Sequence, residues 1–243
     1  IISGYDDIWK AVENSAEIPW VVDGRLVIDP RREAFLDLAK QLHDNRYINN
    51  SISWTDEWYA DMRDESQKKI FGFLGPSWFV EFIIRNNCGG KEPGEGTYGD
   101  WAVCEPPAGF FWGGTWVFAS KNTRHKDAVG YIIKWITLDS SDTGLQYLWA
   151  TGAVDGHREA AASGTVMRKC PAQLDILGCQ DMFEVYDRCA RLAKGNNKTE
   201  YDEMINYWWL EQAREYAKGN KTRKQAIEDF RRNVKDELGI IVE

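Results

Sequence analysis

The last third of the chain carries the most restrictive pattern. Residues 181–192, 200–217 and 221–238 each place apolar side chains at the 3.6-residue period of an amphipathic helix. The breaks between them, Lys194-Gly195-Asn196-Asn197 and Lys218-Gly219-Asn220, each hold a glycine suited to the position after a helix end. Three helices joined so tightly must bury their apolar faces on one another or on something upstream. The upstream sequence is mixed. An acidic start followed by Ile8, Trp9 and Val12 predicts a helix from Asp6 to about Asn14. Asp23-Gly24 between two β-branched runs predicts a small hairpin over residues 19–28. Asp29-Pro30 then supplies a cap and first residue for a helix to about Asn45, with Phe35, Leu36, Leu38, Ala39 and Leu42 on one face.

The middle of the chain alternates between the two periodicities. Trp54, Trp58 and Met62 recur every four residues and predict a short helix with an aromatic stripe. A strand at 70–74, a Gly75-Pro76 turn and a helix from Ser77 follow. Trp101-Ala102-Val103 reads as a strand, and residues 110–119 as a β-rich segment interrupted by Gly113-Gly114, where another backbone or a ligand can approach closely. Ala128, Val129, Ile132, Ile133 and Ile136 mark an amphipathic helix, a second helix runs from Ser140 through Leu148, and residues 152–164 are connecting chain. No 20–50-residue period recurs. The class is α/β with helix in excess.

Composition narrows the function. The length of 243 residues admits one large domain or two small ones. Thirty basic residues against 38 acidic give a net charge of −8, and the basic residues are dispersed, so neither nucleic acid nor an anionic lipid surface is expected as a partner. Apolar runs such as 70–80 and 110–119 fall well short of the ~20 residues of a spanning helix, so no membrane insertion is expected. Five cysteines (Cys88, Cys104, Cys170, Cys179, Cys189) in a chain of this size are expected to be mostly free thiols. The spacing of the last three does not suit zinc, and His43, His125 and His157 are isolated, so neither metal nor cofactor is expected. The chain opens at Ile1-Ile2-Ser3-Gly4 without Met or a signal-type stretch, which leads us to expect that an earlier portion has been removed. The unusual quantity is aromatic: 12 Trp, 10 Tyr and 10 Phe. Most are expected to build the core, and the remainder suit an amphipathic ligand.

Four segments, in order, carry a family likeness. Phe73-Leu74-Gly75-Pro76-Ser77-Trp78 is similar to the glycine-proline-tryptophan stretch of maltose-type solute-binding proteins, members of bacterial extracellular solute-binding protein family 1. Residues 99–109, followed by Phe111-Trp112-Gly113-Gly114-Thr115-Trp116, resemble that family's strand, proline loop and crossover. Residues 119–128 look like its serine-lysine step into a helix, and 207–230 resemble its closing pair of helices. The resemblance implies a two-lobed periplasmic-binding-protein-like fold, helix-rich and α/β, with its first lobe incomplete. Residues 1–112 and 166–243 would form the second lobe and 113–165 a remnant of the first. It implies the carbohydrate-binding component of an ABC importer, extracellular, cell-surface or periplasmic. Such a protein encloses a mono- or oligosaccharide in an interlobe cleft and docks on a membrane permease. The lipid anchor of such a protein would lie in the missing N-terminal part.

A sugar ring packs its C–H face on an aromatic plane while its hydroxyls need polar partners, which selects the candidate residues. Trp78 follows a strand-to-helix turn where backbone N–H groups are free, although Phe79, Phe82 and Ile83 show an apolar helix side to which it could belong. Trp112 with Gly113 and Gly114 combines a stacking plane with close backbone approach, or else packs a hinge. Trp116 reads as one face of a strand. Tyr207 and Trp209 lie on a helix that lines the cleft in the family; the adjacent Trp208 and Trp209 cannot face the same way. Asp7, like Asp6, can accept from sugar hydroxyls or simply open a helix. Trp54 and Trp58 read as core. No catalytic residues are identified and no enzyme is expected, since hydrolysis of a glycoside needs two carboxylates roughly 5–10 Å apart and no pair stands in a recognisable context. Two other readings stay open: a glycoside hydrolase or its carbohydrate-binding module, and a scaffold fragment with no ligand.

Overall fold

A computed structural model of the chain describes every residue except Gln67, Lys194, Asn196 and Glu243. In chain order the elements are α1 (Tyr5–Ser15), β1 (Val21–Val22), β2 (Arg25–Leu26), α2 (Pro30–Asp44) and α3 (Asp56–Met62). A π-helical turn, Val80–Ile84, leads into α4 (Arg85–Asn87), followed by α5 (Lys126–Thr137), α6 (Leu145–Ala150) and α7 (Gly164–Lys169). β3 (Gln173–Leu174) and β4 (Gln180–Asp181) flank a 3₁₀ turn, and α8 (Met182–Leu192), α9 (Asp202–Ala217) and α10 (Arg223–Leu238) close the chain.

Local chemistry sets most helix ends. The Asp29 carboxylate accepts from Arg31 N at 2.8 Å to cap α2, with Pro30 at its first position. Thr222 and Gln225 form a reciprocal capping box on α10, which ends at Gly239 with φ 65°. Gly219, at φ 81°, follows α9 as expected, and the other expected cap is Gly195. Its neighbours Lys194 and Asn196 lie outside the described residues.

The expected strands fared differently, because a strand needs a partner as well as a propensity. The Asp23-Gly24 turn closes β1 on β2 with Val21 opposite Leu26. Residues 70–74 make only an isolated parallel bridge between Ile2 and Gly72. The N–H and carbonyl of Val103 are both taken by the side-chain amide of Gln180, at 2.7 and 2.8 Å, so residues 101–103 build no ladder. Residues 110–119 are not a strand either.

The chain forms two compact units, Ile1–Leu74 with Pro106–Phe111 and Leu192–Glu243, and Gly75–Glu105 with Trp112–Arg191. In the first unit α9 packs on both α2 and α10, and α1 packs on α2 and α9. Trp9, Trp20, Phe35, Trp209 and Phe230 form its aromatic centre, with Trp209 and Phe230 edge-on at 4.8 Å. The buried Arg32 guanidinium lies 4.3 Å over the Trp20 ring. In the second unit the buried Glu81 carboxylate accepts from Arg85 Nη2 at 2.9 Å and meets His157 Nδ1 at 3.1 Å. Arg85 also reaches Asp175, at 3.2 Å, tying the π-helical turn to the β3–β4 hairpin. α5 is an exception: none of its residues is buried. All five cysteines are free.

Candidate functional site

Of the residues expected to contact a ligand, four lie in the second unit. Trp78 sits half-buried in the turn before the helical run, two residues ahead of the π-helical segment, so the helix begins later than the sequence pattern places it. Trp112 is half-buried, and Gly113 and Gly114 are exposed. Gly113 has φ 136°, a conformation that L side chains rarely adopt, and a methyl group added to either glycine would meet nothing within 4 Å. The pair therefore leaves an uncrowded stretch of backbone on the surface. It continues into Trp116, 79 % exposed, and the equally open Phe118.

The other three belong to the first unit, and their environments separate them. Tyr207 on α9 is 60 % exposed, while Trp208 and Trp209 are both buried. Two adjacent residues of a helix point in directions about 100° apart; both are covered here because α9 has neighbours on two sides, α2 and α10. Trp209 thus packs against Trp9, Trp20 and Phe230, and its indole N–H meets no acceptor. Asp7 is buried too. One carboxylate oxygen accepts from Gly4 N at 3.0 Å, closing the start of α1, and the other from Trp58 Nε1 at 3.3 Å. Burial raises the Asp7 pKa to about 7; the two hydrogen bonds work against that rise, and the nearby Asp6 and Asp61 add to it. In this structure Asp7 and Trp209 do structural work and present no surface to a solute. Their neighbours in sequence, Asp6 and Tyr207, do.

Open depressions mark the surface among the described residues. One, of ≈ 550 Å³, is lined by His43, Asp44, Arg46, Ile48, Asn50 and Lys68. Another, of ≈ 370 Å³, is lined by Asn86, Gly89, Gly90, Lys91 and Glu95. Neither is lined by Trp, Tyr or Phe or by any of the expected contacts. Among the described residues no group of three or more His, Cys, Asp or Glu is placed to hold a metal ion. No helix among them is long and apolar enough to cross a membrane.

No protein-family model matches the sequence, and no curated protein matches it. Among solved structures, the chain is similar to one described as "Crystal structure of Extracellular solute-binding protein family 1", with a TM-score of 0.72 at 14% sequence identity. The match covers 95% of this chain and 57% of that one, so the present chain spans a little over half the length of the protein it resembles. The likeness is one of fold. The chain has a helix-rich α/β, periplasmic-binding-protein-like fold.

Proposed function

We propose that this chain is part of an extracellular or periplasmic solute-binding protein that delivers a mono- or oligosaccharide to the membrane permease of an ABC importer, and that it catalyses no reaction. A maltose-type relationship and a lipid anchor outside the present sequence belong to the same proposal. The observation that carries it is the fold likeness to an extracellular solute-binding protein, which extends over nearly the whole chain. The surface chemistry supports the choice of a saccharide. Trp116 and Tyr207 expose flat amphipathic rings, and such faces pack on sugar C–H groups while neighbouring polar atoms meet the hydroxyls. In this reading Trp78, Trp112, Gly113 and Gly114 are the ligand contacts that the second unit offers, and Tyr207 is one that the first unit offers, each unit taken by itself. The test is a thermal-unfolding screen of the chain against saccharides, amino acids and short peptides. A ligand present at 100 times its dissociation constant stabilises the folded form by about 2.7 kcal/mol, a readily measured rise in midpoint. The proposal expects that rise from a saccharide; a rise given only by amino acids or peptides would replace the saccharide with another solute class.

A further inference from the structure

Within the first unit, we propose that Trp54, Asp6, Arg214 and Tyr207 form a binding face for a neutral oligosaccharide, with Trp54 as its stacking plane. The inference rests on the carbohydrate reading above and assigns residues that reading does not. It begins with Trp54 and Trp58, which the sequence pattern places together on one helical stripe. The structure separates them. Trp58 lies inside α3, is buried and donates to Asp7. Trp54 precedes α3 and is 46 % exposed. Its φ is 73°, in the left-handed region that a bulky residue seldom occupies. Such backbone conformations persist where the surroundings enforce them, and they gather at ligand sites. The Trp54 ring is also braced, its centroid 5.1 Å from that of Trp58 at a tilt of 50°. A plane held this way loses little freedom when a ligand stacks on it.

Polar partners stand next to that plane. The N–H of Ser53 donates to Asp6 Oδ2 at 3.3 Å, and the other Asp6 oxygen accepts from Arg214 Nη2. The side chains of Asp6 and Arg214 keep 19% and 22% of their surface open. A carboxylate beside a guanidinium offers acceptors and donors together, the combination a sugar hydroxyl needs. Because the two charges compensate, a neutral polyhydroxylated ligand suits the pair, whereas an ion would have to compete with one partner for the other.

Tyr207 extends the same face. It precedes Arg214 by seven residues, within about 20° of two full helical turns and about 10 Å along the axis. About a quarter turn round α9 from both, Asn206 accepts from Trp9 and Trp20. The pairs Asp6–Arg214 and Trp9–Asn206 show that α1 runs antiparallel to α9, and Ser51 N donates to Ser3 O at the start of α1. Ser53, next to Trp54, and Arg214 thus both meet Asp6, and Tyr207 stands about 10 Å from Arg214 along α9. A row of that length exceeds one pyranose ring, which points to an oligosaccharide.

The experiment titrates the chain calorimetrically with neutral trisaccharides of glucose, xylose and N-acetylglucosamine, and repeats the productive titration on Trp54→Gly and Tyr207→Ala. Glycine suits φ 73°, so Trp54→Gly removes the plane without adding backbone strain, and Tyr207→Ala alters an exposed helix face. Each is expected to weaken binding roughly ten- to thirtyfold per folded molecule, with the urea midpoint held in Tyr207→Ala. Binding by the parent chain that neither variant weakens would overturn this inference and leave the carbohydrate reading standing. Failure of every saccharide to bind the parent chain would overturn both. Should Trp54→Gly not fold, Tyr207→Ala decides alone, and unchanged affinity in it counts against the row.

Discussion

Replacing Trp209 with alanine tests the most consequential packing in the first unit, because this residue was a candidate ligand contact and the structure makes it core. Its ring lies 4.8 Å from Phe230, 5.7 Å from Trp20 and 6.5 Å from Trp9, centroid to centroid, with no exposed surface. Truncating a buried aromatic to alanine costs about 3–5 kcal/mol, more where the surroundings cannot collapse. Three rigid rings cannot close on the void, so we expect about 4–5 kcal/mol. The indole N–H has no acceptor, so no hydrogen bond is lost with it. That point makes Trp209→Phe informative: it keeps a ring against Phe230 and deletes a buried, unpaired donor whose desolvation costs about 1–3 kcal/mol. A net loss below about 2 kcal/mol is expected. Tyr207→Ala, on the exposed side of α9, should stay within about 0.5 kcal/mol. Urea unfolding followed by far-UV circular dichroism reads all three without relying on tryptophan emission. A loss below about 1 kcal/mol for Trp209→Ala, or an equal loss for Tyr207→Ala, would refute this assignment of the core face.

The buried Asp7 gives a pH dependence. With its folded pKa raised to about 7 from 3.8, the folded state holds a proton that the unfolded chain releases. Asp7 therefore lowers stability progressively as pH rises from about 4 to 7 and by a constant amount above that, about 4 kcal/mol in all at about 1.4 kcal/mol per pH unit. Asp7→Asn should narrow the difference between denaturation curves taken at pH 4.5 and 7.5; an unchanged difference would contradict the raised pKa. Glu81→Ala leaves Arg85 and His157 without their shared partner. Because Arg85 keeps part of its surface in solvent, the expected loss is about 3 kcal/mol, at the low end for a broken buried pair, checked by urea unfolding of the variant. α5 buries none of its residues, so hydrogen exchange should show its amides less protected than those of α9; equal protection would mean that something covers it.

Features decided within a few residues were legible in the sequence. Asp29-Pro30 opened a helix, Asp23-Gly24 closed a hairpin, and Gly219 followed a helix end, since each depends on backbone preferences of the residues themselves. Features decided by distant partners were not. Val103 carries β propensity, yet Gln180, 77 positions later, occupies its backbone groups. Residues 164–169 and the β3–β4 hairpin gave no periodic signal long enough to recognise. The same distinction governs the candidate site. Tyr207, Trp208 and Trp209 are alike as letters, and only the placement of α2 and α10 around α9 shows that the tyrosine faces out. Asp6 and Asp7 likewise differ only through Arg214 and Trp58, located 208 and 51 residues away. The four-residue spacing of Trp54 and Trp58 suggested one stripe, but the helix starts at Asp56 and leaves Trp54 outside it.

Equilibrium dialysis of the chain against a mixed pool of neutral saccharides, with chemical analysis of what is retained and what is left, tests the proposed function most directly. The account predicts that one saccharide is retained in a single saturable class of sites and recovered with its glycosidic bonds intact. Retention of none, or appearance of hydrolysed products that depend on one Asp or Glu side chain, would contradict it.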